Sequence, residues 1–364
     1  MIVDCDVHQE IDREETIWEY LSPGWREFVK GPLPAEPPLS ISPSIPFRNP
    51  HGFFREDLTI PEGARVGSDP ELVKEELLDR YEIDNAVLTG ETSLYVGGIS
   101  NPYFAQELCR AFNDHMLERW LSTDRRFLGT IAVPIQTPEA AVLEINRLKD
   151  EDRVIQVMLC ANALGHPFGH PIFDPIHRAA AEAGLPIGIH SFGEGAGYPP
   201  GETLAAGKPS FYTEFHTGAI QGMMTHLVSF ILHGVFERYP GLKVAFLEGG
   251  IEWVPGLLLR LDANYQGLRR EVPWCRKPPS EYVREHIYFS TQPLDVPSAS
   301  HPFWGTVSAA GLEGNLMFAT DYPHWDADSP RQTLSCIPAE FRERVQWQNA
   351  AELYELSADR AHAA

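Results

Sequence analysis

Short apolar runs alternate with segments of helical periodicity along most of the chain. The apolar runs have the length of strands and are hydrophobic throughout, a pattern typical of parallel strands that are buried on both faces. The predicted strands begin with the run at Val3 and continue at 85–89, 128–134, 154–159, 185–190, 242–247, 286–290 and 316–320. This makes eight strand-like runs in total.

A helical pattern follows each of these runs. The predicted helices lie at 13–29, 68–83, 102–121, 138–149, 171–183, 213–236, 253–269, 303–310 and 340–356. Ser68 is the predicted N-cap of the second, with Glu71 in the capping-box position. Eight such units favour a TIM-like (β/α)8 barrel over 1–364 as a single domain, and an open doubly wound sheet is the alternative. No glycine-rich nucleotide motif follows any strand.

A proline-rich insertion interrupts the alternation after the first strand. Nine prolines fall within about 31–70, and proline fixes φ and lacks an amide hydrogen, so this segment is predicted to be a long loop or arm. Its aromatic residues Phe47, Phe53 and Phe54 suggest packing against a site mouth or a neighbouring subunit. A surface insertion is the alternative.

Potential metal ligands stand at four of the eight predicted strand ends. Asp6 and His8 are two residues apart, so in a strand they project to the same face. His190, Glu248 and Asp321 stand at the ends of the fifth, sixth and eighth strands. Barrel enzymes build their active sites at the carboxyl ends of the strands, so these residues are expected to converge on one metal site.

The individual side chains keep more than one interpretation. Asp321 either caps the turn before Pro323 or binds the ion and holds a proton. Glu248 is a ligand, an acid/base group or one half of an ion pair at the rim. His216 and His324 are candidates for substrate binding.

These motifs together resemble the amidohydrolase superfamily. The resemblance rests on Asp6-x-His8, the strand-end His190, the run 234–244 leading into the sixth strand, and the sequence Thr-Asp-Tyr-Pro-His at 320–324. It is nearest to the amidohydrolase-related branch, which includes aminocarboxymuconate semialdehyde decarboxylase and aromatic acid decarboxylases. The resemblance implies a distorted barrel with one catalytic divalent metal ion. The ligands that it implies are Asp6, His8, His190 and Asp321.

Two positions depart from the pattern of this branch. Relatives most often have His or Glu where this chain has Asp6, and an additional oxygen ligand keeps zinc as the expected metal but makes manganese or iron possible. Glu248 stands where many relatives have a histidine before Gly-Gly. A carboxylate donates a hydrogen bond only when it is protonated, so a role of Glu248 as an acid requires a raised pKa.

Three functions follow from this interpretation. The first is hydrolysis of a small, aromatic or apolar organic substrate by a metal-activated water, with Asp321 as the proton carrier and Glu248 orienting the substrate. The alternative is non-oxidative decarboxylation of an aromatic or unsaturated carboxylic acid. The third is a catalytically inactive barrel that binds a ligand. Arg55, Asn101 and Arg125 are candidates for holding a substrate carboxylate, and the loop 193–215 is a candidate roof over the site.

Composition narrows the choice of partners. The net charge of -22 argues against nucleic acid and anionic membranes, and a small molecule is the expected partner. Five scattered cysteines, no leader-like segment and no apolar run of about 18 residues favour a cytoplasmic protein. The family resemblance and the long arm favour a homo-oligomer, most simply a dimer.

Overall fold

A computed structural model describes residues 1–30, 49–59, 64–160, 164–191, 207 and 209–356. Within these ranges, eight strands form one parallel sheet in the order of the chain. The strands are β1 Val3–Val7, β2 Asn85–Leu88, β3 Phe127–Ala132, β4 Val154–Leu159, β5 Ile187–His190, β6 Val244–Leu247, β7 Ile287–Ser290 and β8 Leu316–Met317. Each predicted strand is therefore present.

The last strand returns to the first. The amide of Cys5 donates to the carbonyl of Phe318 at 3.0 Å, and the amide of His8 donates to the carbonyl of Tyr322 at 2.8 Å. These bonds bring the segment after β8 alongside β1, so the sheet curls into a TIM-like barrel. The open doubly wound sheet is excluded.

Helices surround the barrel. They are α1 Glu14–Trp18, α2 Pro23–Val29, α3 Pro70–Val73, α4 Pro102–His115, α5 Pro138–Leu148, α6 Asp174–Ala183, α7 Tyr212–Gly218, α8 Ile220–Leu232, α9 Val235–Arg238, α10 Val254–Leu268, α11 Pro279–His286, α12 Phe303–Ala310, α13 Pro330–Cys336, α14 Ala339–Glu343 and α15 Asn349–Tyr354. Single π-helical turns extend α3 through 79, extend α4 through 121 and join α14 to α15, and 3-10 turns lie at 92–98 and 171–173. No helix in the described ranges is long and apolar enough to cross a membrane.

The core has an outer and an inner layer because side chains alternate along each strand. In the outer layer, residues such as Val157 and Phe246 pack under the helices, for example against Phe230 of α8. The inner layer fills the barrel itself and includes Leu353 and Tyr354 of α15. The side chain of Gln346 donates to the carbonyl of Met1 and that of Asn349 to the carbonyl of Leu316, so the last helices cover the end of the barrel where strands begin.

Several helix boundaries differ from the predictions for local reasons. The predicted helix 13–29 is broken before Pro23, which begins α2 at its first position. Asp69 caps α3, since its carboxylate accepts from the amide of Glu71 at 2.9 Å, so the prediction of Ser68 as the cap was wrong. The predicted helix 213–236 is three helices, and Gly234 with φ 66° separates the last two. Helices α11 and α13 were not predicted.

Candidate metal centre

Four strands direct acidic or imidazole side chains to the same end of the barrel. Asp6 lies in β1 with His8 just beyond it, His190 ends β5, Glu248 follows β6, and Asp321 follows β8. All five side chains are buried. The structure therefore brings together the strand-end residues that the sequence singled out.

The distances within this cluster are short. His8 Nε2 lies 2.9 Å from Asp321 Oδ1 and 3.5 Å from Asp6 Oδ1. His190 Nε2 lies 3.6 Å from Asp6 Oδ2 and 3.1 Å from Glu248 Oε2. Ligand atoms of Asp6, His8, His190 and Glu248 all fall within 4.8 Å of one another. Such a cluster is compact enough to surround a single ion.

Four atoms in this cluster are buried without a hydrogen-bond partner among the described residues: Asp6 Oδ2, His8 Nε2, His190 Nε2 and Asp321 Oδ2. Leaving a buried polar atom unpaired costs about 1–3 kcal/mol, and more for a charged group. Two imidazole nitrogens and two carboxylate oxygens form a donor set that suits manganese, iron or zinc. The residues present therefore fit a divalent metal ion.

Both imidazoles are oriented by their second ring nitrogen. His8 Nδ1 lies 2.5 Å from the carbonyl oxygen of Gly90, and His190 Nδ1 lies 3.0 Å from the carbonyl oxygen of Ser191. A carbonyl accepts only, so each Nδ1 carries the hydrogen and each Nε2 presents a lone pair to the cluster. This is the arrangement that metal-binding histidines usually adopt.

The electrostatic field of the cluster favours positive charge. Burial and the neighbouring His324 act to lower the pKa of His8, but Asp6, Asp321 and Glu91 outweigh them and raise it. Burial raises the pKa of Glu248 well above its usual range, and the carboxylate of Asp321 adds to this shift. A site that retains protons so strongly also attracts a metal cation.

The backbone is strained at two of these positions. Glu248 and Asp321 have φ values of 53° and 62°, a region that residues with a Cβ rarely occupy. After Glu248, a Cβ on Gly249 would lie 2.1 Å from Met223 Sδ, so any larger residue there would displace the Met223 side chain. Strain of this kind costs about 1–3 kcal/mol and is common at functional sites.

Asp4 fixes the strained Asp321 indirectly. Its carboxylate accepts from the amide and the hydroxyl of Thr320, at 2.9 and 2.6 Å. The amide of Asp321 itself donates to the carbonyl of Asp6 at 3.0 Å. The turn after β8 is thus bound to β1 at Asp321 and at the residue before it.

Glu91 is a functional candidate that sequence reasoning missed. Its Oε2 lies 3.3 Å from His8 Nδ1 and 2.9 Å from His324 Nε2, while His324 Nδ1 lies 2.7 Å from Asp321 Oδ1. Glu91, His324 and Asp321 therefore form a continuous carboxylate–imidazole–carboxylate chain. The available signal was the end of the second strand, where an acid follows Thr89 and Gly90 and was not considered with the other strand ends.

A cavity opens above the cluster. Its remaining walls are mostly aromatic and apolar: Phe53, Leu94, Tyr95, Tyr212, Phe215 and Trp325. His216 and His324, the predicted substrate contacts, both line it, and His216 Nε2 lies 3.2 Å from Asp326 Oδ2. The shape and lining suit a flat organic molecule.

The other sequence-based candidates for this cavity have mixed outcomes. Phe53 of the arm lines it, and Phe54 stacks beside His324 with ring centroids 6.1 Å apart, whereas Phe47 lies outside the described residues. Of the loop 193–215, Tyr212 and Phe215 line the cavity, and positions 193–206 and 208 lie outside the described residues.

The three candidates for holding a substrate carboxylate are not among the lining residues. Asn101 instead caps α4 by accepting from the amides of Tyr103 and Phe104. Arg55 pairs with Asp57 at 2.7 Å, and Arg125 also lies elsewhere.

Comparison with known proteins identifies the family. The model of the amidohydrolase family (Amidohydro_2) matches residues 3–356, so the chain belongs to this family. One relative is the 2-amino-3-carboxymuconate-6-semialdehyde decarboxylase of Dictyostelium discoideum, 27% identical over 50% of this chain and 48% of the relative, which is about half its length. Another is the gamma-resorcylate decarboxylase of Polaromonas sp. strain JS666, 22% identical over 77% of this chain and 86% of the relative.

Solved structures share the fold at low identity. The dihydroxybenzoic acid decarboxylase of Polaromonas sp. JS666, with bound manganese and the inhibitor 2-nitroresorcinol, superposes with a TM-score of 0.65 at 18% identity over 100% of both chains. The 5-carboxyvanillate decarboxylase of Novosphingobium aromaticivorans, with manganese and 4-hydroxy-3-methoxy-5-nitrobenzoic acid, gives 0.69 at 18% identity over 98% of this chain and 96% of that one.

Proposed function

We propose that this amidohydrolase-family protein is a metal-dependent, non-oxidative decarboxylase of a small aromatic acid. The observation that carries the proposal is the set of four unpartnered donor atoms, on Asp6, His8, His190 and Asp321, buried next to an aromatic-walled cavity that His8 and His190 line. The named relatives are decarboxylases, and the structures named above contain manganese and aromatic ligands. Manganese is therefore the ion that we propose, in place of the zinc that the sequence favoured.

Asp6, His8, His190 and Asp321 would hold the ion in this proposal. When bound, the ion supplies a Lewis acid for the substrate carboxylate and a neighbouring ring oxygen. The aromatic walls, among them Tyr212 and Trp325, hold the ring and exclude water from the buried floor.

Asp321 carries the proton that the reaction consumes. Its Oδ1 lies 2.7 Å from His324 Nδ1, which places a proton source beside it inside the cavity. Asp321 passes a proton to the ring carbon that bears the carboxylate, a C–H bond forms, and the electron pair of the C–C bond returns to the ring as carbon dioxide leaves. Glu248, kept protonated by its raised pKa, donates a hydrogen bond to the substrate.

Hydrolysis, the first expectation from sequence, is the second candidate. The same Asp321 and the same donor set would also serve a water nucleophile, so the floor of the cavity suits both reactions. The relatives named above favour decarboxylation. Dimer formation and a cytoplasmic location stay predictions.

The test combines metal content with product analysis. Manganese-loaded protein is incubated with 2,6-dihydroxybenzoate, 2-hydroxybenzoate and 5-carboxyvanillate, and carbon dioxide and the phenolic product are measured. We expect about one equivalent of metal by elemental mass spectrometry and carbon dioxide from at least one acid, both largely lost in His190→Ala. The matched control is His301→Ala, which removes an exposed histidine that does not line the cavity. Hydrolysis of aromatic esters or lactones without any carbon dioxide release would support the second candidate instead.

A further inference from the structure

A histidine–carboxylate pair lies at the mouth of the cavity, apart from the residues proposed to hold metal. His216 of α7 and Asp326 of the loop after β8 approach to 3.2 Å between Nε2 and Oδ2, and both line the cavity. Their side chains are 24% and 18% exposed. The side chains of the metal centre, Asp6, His8, His190, Glu248 and Asp321, are at most 9% exposed. The pair is thus reached from the cavity and remains partly hydrated.

Aromatic rings hold this pair in place. Trp325, the neighbour of Asp326, lies with its ring centroid 5.7 Å from that of His216 and 6.3 Å from that of Tyr212. The amide of Trp325 donates to the carbonyl of Phe53 at 3.1 Å. Elements from three parts of the chain therefore meet around Asp326, so its carboxylate has a defined position on the wall.

The carboxylate at the mouth of the cavity has no arginine or lysine beside it among the described residues. Asp326 lines the cavity there, and no arginine or lysine occurs among the lining residues in the described part of the chain. The imidazole of His216 already faces Asp326 there. A second carboxylate on a substrate would therefore meet a carboxylate there, while a hydroxyl group would find an acceptor.

We propose that Asp326, oriented by His216, contacts the substituent on the substrate ring that is remote from the reacting carboxylate. Through this contact the protein prefers hydroxylated monocarboxylic acids to dicarboxylic acids. This inference rests on the proposed function, because it takes the reacting carboxylate to be bound at the floor. A neutral hydroxyl donates to the Asp326 carboxylate in a charge-assisted hydrogen bond. Like-charge repulsion disfavours a dicarboxylate at the same position.

The test compares substrates that differ at one ring position. The parent acid is 2-hydroxybenzoate, and the others carry a hydroxyl or a second carboxylate at ring position 4 or at position 5. These acids differ in intrinsic reactivity. For each acid we therefore take the ratio of the value for Asp326→Asn to that for the wild type, because intrinsic reactivity cancels in this ratio. Both kcat/KM and the Kd for the manganese-loaded protein are measured, the latter by calorimetry.

We expect a different change for each class of acid. Asp326→Asn should lower kcat/KM for a hydroxylated acid by about tenfold, because one hydrogen bond to a charged group is weakened. It should raise kcat/KM for the matching dicarboxylate by about tenfold as the repulsion is removed, and leave 2-hydroxybenzoate within about twofold. Asp328→Asn, two residues further along and outside the cavity lining, is the matched control that should change none of these ratios.

Two results would overturn the inference. An equal change for all acids would mean that Asp326 only supports the wall, and no change for any acid would mean that substrates do not reach it. If no acid releases carbon dioxide, the proposed function fails on its own. The Kd series then decides the inference, because the tenfold pattern must appear in binding or the selection does not exist.

Discussion

The two ends of the barrel bury polar side chains in opposite ways. At the end where strands begin, the side-chain amide nitrogen of buried Asn315 lies within 3.2 Å of the carbonyls of Val283, Arg284 and Ile287. At the end where strands finish, His8 Nε2 and Asp321 Oδ2 are buried and lack any hydrogen-bond partner among the described residues. The amide nitrogen of Asn315 is satisfied within the chain, whereas the two atoms at the other end are directed at a common centre.

This difference separates stability from function within one fold. Asn315 ties α11, β7 and the start of β8 together, which contributes to the free energy of unfolding. Glu248 and Asp321 have a strained backbone and sit beside other acids, which lowers that free energy. Barrel enzymes generally keep their chemistry at the carboxyl ends of the strands and their stabilising contacts at the amino ends. Substitutions at the two ends should therefore affect different measurements.

The largest effect is expected for Asp321→Asn. Asparagine keeps the shape of the side chain but cannot carry the proton, so kcat for decarboxylation should fall by about 10²–10⁴-fold. The free energy of unfolding of the metal-free protein should change by no more than about 1 kcal/mol, because relief of the repulsion from neighbouring acids offsets the weaker contacts with His8 and His324. Steady-state kinetics and urea unfolding check the two parts. A variant that retains kcat, or that unfolds much more easily, would contradict the claim that Asp321 serves catalysis and not stability.

The next effect concerns the opposite end. Asn315→Ala leaves the carbonyls of Val283, Arg284 and Ile287 without this donor, and the free energy of unfolding should fall by roughly 3 kcal/mol. The kcat of the folded fraction should stay within about twofold, since the residue lies at the end of the barrel away from the metal centre. Denaturant unfolding at a temperature where the variant is folded provides the measurement. A large loss of kcat without loss of stability would contradict the claim that Asn315 contributes to stability and not to catalysis.

Sequence reasoning predicted the strands well because each one is a continuous apolar run. The strand β4 was placed at 154–159, as observed, and the metal-centre candidates converged because barrel geometry brings all strand ends together. Helices were predicted less accurately. Apolar periodicity continues through 13–29 although Pro23 starts a new helix within it.

Contacts made by loops could not be predicted in the same way. Glu91 lies three residues beyond β2, and its position depends on Gly90, whose φ of 85° turns the chain and directs its carbonyl to His8. The pairing of His216 in α7 with Asp326 in the loop after β8 joins residues more than 100 positions apart, and no local pattern encodes it. Strand periodicity specifies where side chains point, but loop paths follow from tertiary packing.

Two buried histidines, His324 at the metal centre and His177 in α6, differ in the direction in which their pKa is shifted. The carboxylates around His324 raise its pKa despite burial, whereas burial lowers the pKa of His177 in α6 to about 4. His177 Nε2 lies 2.8 Å from the carbonyl of Phe168, and its buried Nδ1 has no partner among the described residues, so a second proton would find no acceptor.

This lowered pKa predicts acid sensitivity of the scaffold. Above pH 6.5 the ring is neutral in both the folded and the unfolded states, and the contribution of His177 is fully present. Between pH 6.5 and about 4 only the unfolded state takes up the proton, so about 3 kcal/mol of stability is lost as pH falls. His177→Gln retains a donor for Phe168 and should lose less stability than the wild type across this window. Unfolding free energies at several pH values test the difference, and parallel curves would refute it.

The smallest effect, expected for Glu91→Gln, probes how the loop after β2 supports the metal centre. Glu91 Oε2 lies 3.3 Å from His8 Nδ1, and its negative charge increases the basicity of the ring whose Nε2 faces the cluster. Glutamine has the same shape without the charge, so affinity for Mn²⁺ should fall by about 10–100-fold. Glu144→Gln is the matched control, because Glu144 is a buried acid that instead contacts Asn113 and Arg147 between α4 and α5. Competition with a chelating dye gives both affinities. If the two variants bind Mn²⁺ equally, Glu91 supports His8 only by packing. If Glu91→Gln alone is weaker, the charge of Glu91 supports the metal site although Glu91 is not among the residues proposed to hold the ion.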